Sequence, residues 1–150
     1  SYAAHYLAPK PLHAELSAPD AHCFVLATNT DTGALVGYGK LELTRPAHES
    51  VTGARPVLLQ RLYVAASARG TGLADRILSA LDTEATRRGF GTLWLECDPA
   101  NERAWRFYEK RGFAVRGQVS YVLPNGANDN VRVMERGLRE ERERDAAPVG

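Results

Sequence analysis

A loop with two glycines has the composition of a phosphate-binding turn. It reads Arg69-Gly70-Thr71-Gly72-Leu73-Ala74 and lies between a predicted strand and a predicted helix. Glycine lacks a β-carbon, so a ligand can approach the main chain of this loop closely. The first N–H groups of a helix have no partner within the helix, and together with the helix dipole they attract an anion. We therefore predict that the loop binds phosphate groups, with Arg69 adding a charged contact from the rim.

Two other interpretations of this loop stay open at the level of the residues. Paired glycines also occur in turns that bind no ligand. In a dinucleotide-binding fingerprint, Gly70, Gly72 and Asp75 would fill the glycine positions and Glu96 would lie near the place of the ribose-binding acid. Asp75 is unsuited to close helix packing, however, and the segment that follows Val64 is too long for the tight turn of that fingerprint. A P-loop is excluded because the chain has no G-x-x-x-x-G-K-[ST] run.

The elements around the loop predict a mixed α/β fold. Apolar residues recur every four positions from Leu73 to Ala85, which indicates an amphipathic helix that ends at Gly89. The strand–helix–strand unit over 57–98 implies a right-handed crossover between parallel strands, and hairpins add antiparallel strands at both ends. We expect one central sheet, mixed but mostly antiparallel, with helices on both faces. The predicted helices are 11–17, 73–88 and 101–110, and the predicted strands are 22–28, 34–43, 57–64, 92–98, 113–115, 119–123 and 131–135.

The composition is that of one globular domain, which we assign to residues 1–138, with a charged tail at 139–150. The net charge of +1 provides no field to hold a nucleic acid or an anionic membrane, and no apolar run reaches the ~20 residues that span a bilayer. Cys23 and Cys97 lack metal-ligand spacing, as do the four histidines. We therefore predict no metal site and two reduced thiols in a cytoplasmic protein.

A second motif follows the glycine loop at a defined separation. It runs from Asn101-Glu102-Arg103-Ala104 through Tyr108 to Gly112-Phe113. The two motifs together resemble the Gcn5-related N-acetyltransferase (GNAT) family, which has a Q/R-x-x-G-x-G/A loop after its fourth strand and an N-x-x-A-x-x-x-Y-x-x-x-G-F helix after its fifth. The resemblance covers roughly residues 11–138. The segments 120–134 and 40–41 look most like the PaiA-type branch, which is linked to polyamine acetylation.

This resemblance implies a GNAT fold, an acyltransferase activity and an acetyl-CoA site between two splayed parallel strands, 57–64 and 92–98. The main chain of Leu62 and Val64 would pair with the pantetheine arm, and Asn101 would meet the same arm. The amides from Gly70 to Ala74 would hold the diphosphate, which agrees with the prediction from the residues alone. The implied cofactor-binding residues are Leu62, Tyr63, Val64, Arg69, Gly70, Thr71, Gly72, Leu73, Ala74, Asn101 and Tyr108.

The reaction implied is the direct attack of an amine on a thioester. An alkyl amine has a pKa of about 10.4, so it arrives charged and must lose a proton. Many relatives carry Glu at the position of Gln60, whose amide cannot accept a proton usefully; we therefore assign the base to Glu96, with Glu42 as the alternative. Tyr108 is the candidate acid for the leaving thiolate, and the Val64 amide is the candidate donor to the developing oxyanion. Taken alone, Tyr108 is more typical of a residue that packs against the sheet, and Asn101 is typical of a helix N-cap.

The function implied is acetyl transfer from acetyl-CoA to a primary amine of a small, polyamine-like molecule. Glu42, Glu96 and Asp129 could together attract such a cation. The alternatives are acetylation of a protein N-terminus or lysine, and a non-catalytic acyl-CoA-binding module. We find no convincing first strand in residues 1–10. An edge left open at 22–28 would pair with another chain, so we predict a homodimer.

Overall fold

The structure, a computed structural model, describes residues 2–5 and 20–138. These residues form one seven-stranded sheet in the order β1-β2-β3-β4-β5-β7-β6. The strands are β1 (Tyr2–His5), β2 (His22–Asn29), β3 (Leu35–Glu42), β4 (Pro56–Val64), β5 (Thr92–Cys97), β6 (Ala114–Val122) and β7 (Asn128–Gly137). The helices are α1 (Leu73–Arg87) and α2 (Glu102–Lys110), and a 3-10 turn spans Ala66–Ala68.

The sheet is mixed and mostly antiparallel, as predicted. β4 and β5 are parallel and joined through α1, whereas the other neighbouring strands are antiparallel. Within the described part of the chain, no helix is long and apolar enough to cross a membrane.

The main core lies between the sheet and the two helices. Alternate residues of the strands, such as Leu59 on β4 and Leu95 on β5, are buried against the apolar side of α1. α1 comes close to β3 because two residues there are glycines: a β-carbon at Gly39 would lie 2.5 Å from Leu81 Cδ1. The partly buried apolar side chains of α2 pack against the same core, so both described helices lie on one side, here called the helix face.

The other residues of each strand, between those that face the helices, point to the opposite side of the sheet. Trp94 of β5 packs there with Leu58 and Val133, and residues Ala47 and Val51 from the loop between β3 and β4 lie over them. Glu96 follows Trp94 by two positions on the same strand and so lies on the same side. We call this side the Glu96 face.

Glu135 anchors the loop that covers the Glu96 face. Its carboxylate accepts hydrogen bonds from Thr52 N at 2.9 Å, Thr52 Oγ1 at 2.8 Å, Gly53 N at 2.9 Å and Arg116 Nε at 2.8 Å. Burial alone would raise the pKa of Glu135, but these hydrogen bonds outweigh burial and lower it. The loop is therefore fixed to β7, the strand next to one edge of the sheet.

Two sequence predictions about strands are wrong. Residues 2–5 do form a strand: β1 pairs antiparallel with β2, from Tyr2 with Asn29 to His5 with Leu26. The strand is only four residues long and has no clear alternation of apolar and polar residues. Its sequence therefore does not predict a strand, which is recognised only from its pairing with β2. Because β1 covers the edge of β2, the argument for a dimer through 22–28 loses its basis.

The predicted strands 113–115 and 119–123 are one continuous strand, β6. The pairing with β7 shifts between Val115 and Gly117, which makes Arg116 a bulge that the sequence pattern takes for a break. The predicted helix at 11–17 and the tail at 139–150 lie outside the described residues.

Candidate active site

The two parallel strands separate halfway along their length. β4 and β5 pair only from Pro56 with Thr92 to Leu58 with Trp94. Just beyond this point the register between β3 and β4 shifts, because Leu41 faces Leu59 while Lys40 faces Arg61. Gln60 is thus an extra, bulged residue that bends β4 away from β5. The result is a gap between residues 59–64 of β4 and residues 95–97 of β5.

The main chain of β4 presents hydrogen-bonding groups to this gap. Ala65 N donates to Val36 O at 2.8 Å and continues the ladder between β3 and β4. Hydrogen-bonded pairs alternate along an antiparallel ladder, so Tyr63 also turns its N–H and C=O towards β3. Leu62 and Val64 then turn theirs the other way, towards β5. Because β5 no longer pairs there, these groups are available to an extended ligand.

A cavity of about 660 Å³ opens on the helix face beside the gap. Ten of the eleven residues predicted to bind the cofactor line it; Thr71 does not, and its Oγ1 instead donates to Ala68 O. The lining residues are Leu62, Tyr63, Val64, Ala68, Arg69, Gly70, Gly72, Leu73, Ala74, Asp75, Asn101, Arg103, Ala104, Phe107, Tyr108 and Arg111.

The start of α1 forms one wall of the cavity and has no side-chain cap. Its N-cap residue is Gly72, in the left-handed region at φ 80°, and no side chain accepts a hydrogen bond from the first turn. Gly70 is also left-handed, at φ 77°. A β-carbon at either position would meet no atom within 4 Å, so the space in front of both is open. The unpaired N–H groups and the dipole of a 15-residue helix therefore face a volume that can hold an anion.

The start of α2 forms the facing wall and is capped by its own chain. Asn101 Oδ1 accepts a hydrogen bond from Ala104 N at 3.2 Å, so the N-cap interpretation of Asn101 is confirmed. Asn101 also lines the cavity, so capping and ligand contact are compatible.

Tyr108 lies at the inner end of α2, with its ring held by aromatic neighbours. Its ring contacts Phe107 and Phe113 edge-on, each with centroids 5.4 Å apart. Burial raises the pKa of Tyr108 to about 12, and the nearby Cys97 thiol adds to this effect. The phenol therefore keeps its proton throughout the neutral range and can donate it into the cavity.

Sequence reasoning missed an ion pair at the cavity rim. Arg111 Nη2 donates to Asp75 Oδ2 at 2.6 Å, Arg111 Nε donates to Asp75 Oδ1, and the guanidinium lies 3.5 Å from the centre of the Phe107 ring. The hydrogen bonds from Arg111 lower the pKa of Asp75. The pair joins the first turn of α1 to the end of α2 and so fixes the width of the cavity. The four-residue spacing of Phe107 and Arg111 could have placed the two side chains side by side on the helix. No local pattern links Arg111 to Asp75, which is 36 positions away in the sequence.

Glu96 does not line the cavity; it lies across the gap, on the Glu96 face. Tyr121 Oη donates to both of its carboxylate oxygens, at 2.7 and 2.8 Å, and Arg45 Nη2 donates to Oε1 at 3.2 Å. The hydrogen bond to Glu96 raises the pKa of Tyr121. The sequence predicted Glu96 but neither Arg45 nor Tyr121, which reach it from other elements.

The two remaining predicted acids lie on the same face but not in contact with Glu96. Glu42 Oε1 accepts a hydrogen bond from Thr44 Oγ1 at 2.9 Å, while its Oε2 is buried without a partner. Asp129 is the cross-strand partner of Tyr121. Across residues 2–5 and 20–138, no group of three or more His, Cys, Asp or Glu side chains could hold a metal ion.

Curated proteins of similar sequence are N-acetyltransferases by name. An uncharacterised N-acetyltransferase of Mycobacterium tuberculosis is 35% identical over 82 residues, which cover 54% of this chain and 53% of the relative. A ribosomal-protein-bS18-alanine N-acetyltransferase of Haemophilus ducreyi is 33% identical over 79 residues, which cover 51% of this chain and 54% of the relative. The chain thus spans about half the length of the curated relatives it matches.

The fold is also that of solved acetyltransferases. PaiA N-acetyltransferase from Thermoplasma acidophilum, solved in complex with coenzyme A, aligns with a TM-score of 0.62 at 18% identity, over 85% of this chain and 69% of PaiA. At this identity the likeness supports the fold alone. A sequence model of the acetyltransferase (GNAT) family matches residues 2–113. The chain therefore belongs to the acetyltransferase (GNAT) family.

Proposed function

We propose that this protein transfers an acetyl group from acetyl-CoA to a primary amine of a small molecule. The observation that carries the proposal is the gap between β4 and β5, which has a cavity for an anionic carrier on the helix face and a carboxylate, Glu96, on the other. Such a passage lets two substrates meet at one point from opposite sides of the sheet, and holding two reactants in contact speeds their reaction.

The cavity residues fit acetyl-CoA on three grounds. The open space in front of Gly70 and Gly72 and the uncapped start of α1 suit a diphosphate. The free main-chain groups of Leu62 and Val64 suit the amide groups of an extended pantetheine arm. The volume of about 660 Å³ lies in the range of small-molecule sites.

Three groups of the chain would then carry the chemistry. When bound, acetyl-CoA supplies the acetyl group as a thioester. Glu96 takes the proton of the incoming ammonium, directly or through water, so that the nitrogen lone pair is free to form the new C–N bond. The Val64 N–H, which points into the gap, donates to the thioester oxygen as negative charge develops there. Tyr108 gives its proton to the sulfur as the C–S bond breaks, and the second proton of the attacking nitrogen returns to the Tyr108 oxygen, directly or through water, so that a neutral amide and a free thiol leave.

Two classes of acceptor are compatible with the site: a small cationic amine, and a protein N-terminus or lysine. Glu42, Glu96 and Asp129 lie on one face and support a cationic small molecule of the polyamine kind. The alternative is a protein N-terminus or lysine, in line with the name of the Haemophilus ducreyi relative. A non-catalytic acyl-CoA-binding module is the second alternative, and Gln60 in place of an acid is the feature that favours it. A cytoplasmic location, predicted from the thiols of Cys23 and Cys97, stays a prediction.

Release of free thiol from acetyl-CoA with a panel of diamines, amino acids and peptides tests the proposal. We expect turnover with small amines and a roughly hundredfold lower kcat in Glu96→Gln. Glu109→Gln, which changes an exposed acid on α2, is the matched control and should keep the parent kcat. Coenzyme A binding without turnover on any acceptor would support the binding module instead. A Glu96→Gln protein with the parent kcat and pH profile would remove Glu96 from the mechanism.

A further inference from the structure

Three side chains from separate elements meet on the Glu96 face at the gap. Glu96 comes from β5, Tyr121 from β6 and Arg45 from the loop after β3. Arg45 Nη2 donates to Glu96 Oε1 and to Tyr121 Oη, both at 3.2 Å, and Tyr121 Oη donates to both oxygens of Glu96. The site that would receive the amine therefore contains a cation beside its carboxylate.

The position of Arg45 suits a ligand better than a purely structural ion pair. Its side chain is 41% exposed and that of Glu96 is 19% exposed, so the pair contributes little stability and can open. The hydrogen bonds of Arg45 to described residues all use Nη2, which leaves Nε and Nη1 to donate elsewhere. The guanidinium also lies 5.7 Å from the centre of the Trp94 ring, a cation–π contact that favours this position of Arg45.

Adjacent opposite charges are complementary to a ligand that carries the same two charges in the reverse order. A guanidinium with free donors binds a carboxylate in a defined, forked geometry. An amine that enters beside Glu96 must also lie beside Arg45, because the two are in hydrogen-bonding contact. An acceptor with a carboxylate next to its amine satisfies both groups, whereas a simple diamine brings a second positive charge towards Arg45.

We infer that Arg45 selects acceptors that carry a carboxylate next to the amine, that is, α-amino acids, with the amine on Glu96 and the carboxylate on Arg45. This inference rests on the proposed function and narrows its substrate class. It replaces the expectation of a polyamine, which counted the acids on this face but not the arginine between them. Asp129, the cross-strand partner of Tyr121, adds a carboxylate on the same face that could pair with a second ammonium farther along the acceptor.

Matched acceptors that differ only in the carboxylate test this inference. The pairs are ornithine with putrescine, lysine with cadaverine, and tryptophan with tryptamine, each assayed by thiol release from acetyl-CoA. We expect at least a tenfold higher kcat/KM for the amino acid of a pair. The methyl ester of that amino acid, which has lost the negative charge, should fall to the level of the amine. This comparison needs only the parent chain, so it does not depend on whether a variant folds.

Arg45→Gln should bring the ratio of kcat/KM for the amino acid to kcat/KM for its amine down to about one, whatever the change in either absolute rate. Arg87→Gln, which removes an exposed, ion-paired arginine at the far end of α1, is the control and should keep the parent ratio. A parent chain that prefers the amine or accepts the ester as well as the acid overturns the inference and leaves the proposed function standing. The inference is also overturned if Arg45→Gln has the same ratio of kcat/KM for amino acid and amine as the parent chain. If no amine in the panel releases thiol, the proposed function fails as well.

Discussion

The two helices that face each other across the cavity begin in opposite ways. α1 begins at a left-handed glycine, Gly72, and no side chain satisfies its first N–H groups. α2 begins at Asn101, whose side chain accepts a hydrogen bond from Ala104 N. A helix that satisfies its own first turn holds side chains in place, and a helix that does not leaves its donors for a ligand. The first kind of start positions Tyr108, and we propose that the second binds an anion.

The largest expected effect follows from filling the open start. Gly72→Glu places a carboxylate and a side chain where we expect the diphosphate, and like charges in contact cost several kcal/mol. We expect acetyl-CoA affinity to fall about a thousandfold, as measured by calorimetry.

Gly33→Glu is the matched control for this variant. Gly33 is also left-handed, at φ 73°, and also has no atom within 4 Å of a β-carbon, but it lies in the β2–β3 turn. The two variants share the backbone strain and the added charge, so Gly33→Glu should keep the parent affinity for acetyl-CoA. Equal losses of affinity in both variants would show that strain, and not the position of the substitution, is responsible.

The next effect concerns the side chain that the capped helix holds. Tyr108→Phe removes the proton donor but keeps the ring between Phe107 and Phe113. We expect kcat to fall about a hundredfold with little change in the dissociation constant of acetyl-CoA. Steady-state kinetics and calorimetry on the same preparation separate the two quantities. A normal kcat would leave Tyr108 as a packing residue only.

The raised pKa of Tyr108 gives a pH-dependent prediction. The pKa of Tyr108 is about 12 in the folded chain and 10.0 in the unfolded chain, so folding favours the protonated phenol. The stability that this group contributes is complete below pH 10 and is lost as the pH rises from 10 through about 12. Over that range we expect the parent to lose about 2–3 kcal/mol more than Tyr108→Phe in urea unfolding. Other tyrosines titrate in both chains and cancel in the difference. Parallel curves for the two proteins would contradict the burial of this hydroxyl.

The smallest effect concerns the cap itself. Asn101→Ala should lower the free energy of unfolding by about 1 kcal/mol, because one N–H of the first turn loses its partner. Asn101→Asp keeps a capping oxygen and is the control. Urea denaturation measures both. Equal stability of Asn101→Ala and the parent would mean that the start of α2 does not need its cap, and the contrast with α1 would disappear.

Short sequence patterns predicted those elements and candidate site residues that lie within one continuous segment of the chain. The stripe of apolar residues fixed the position of α1 to within one residue at its end, and the glycine loop and Tyr108 each lie within a short motif that the cavity brings together. The four-residue β1 was missed because its only support is pairing with β2. The bulge at Gln60, which opens the gap, is visible only in the register between β3 and β4.

The surroundings of Glu96 could not be predicted for a different reason. Arg45 is 51 positions and Tyr121 is 25 positions from Glu96 in the sequence. Each is an ordinary polar residue of a loop or an edge strand, and only the sheet order brings the three together. The acids on this face could be counted from the sequence, whereas the position of Arg45 beside Glu96 could not be predicted.

A crystal structure of the chain with coenzyme A would show where the diphosphate binds. We predict that the diphosphate oxygens lie about 2.9 Å from the N–H groups at the start of α1, between Gly70 and Ala74, and that the pantetheine arm runs along Leu62 and Val64. A diphosphate bound at the start of α2, or anywhere outside this cavity, would contradict the account.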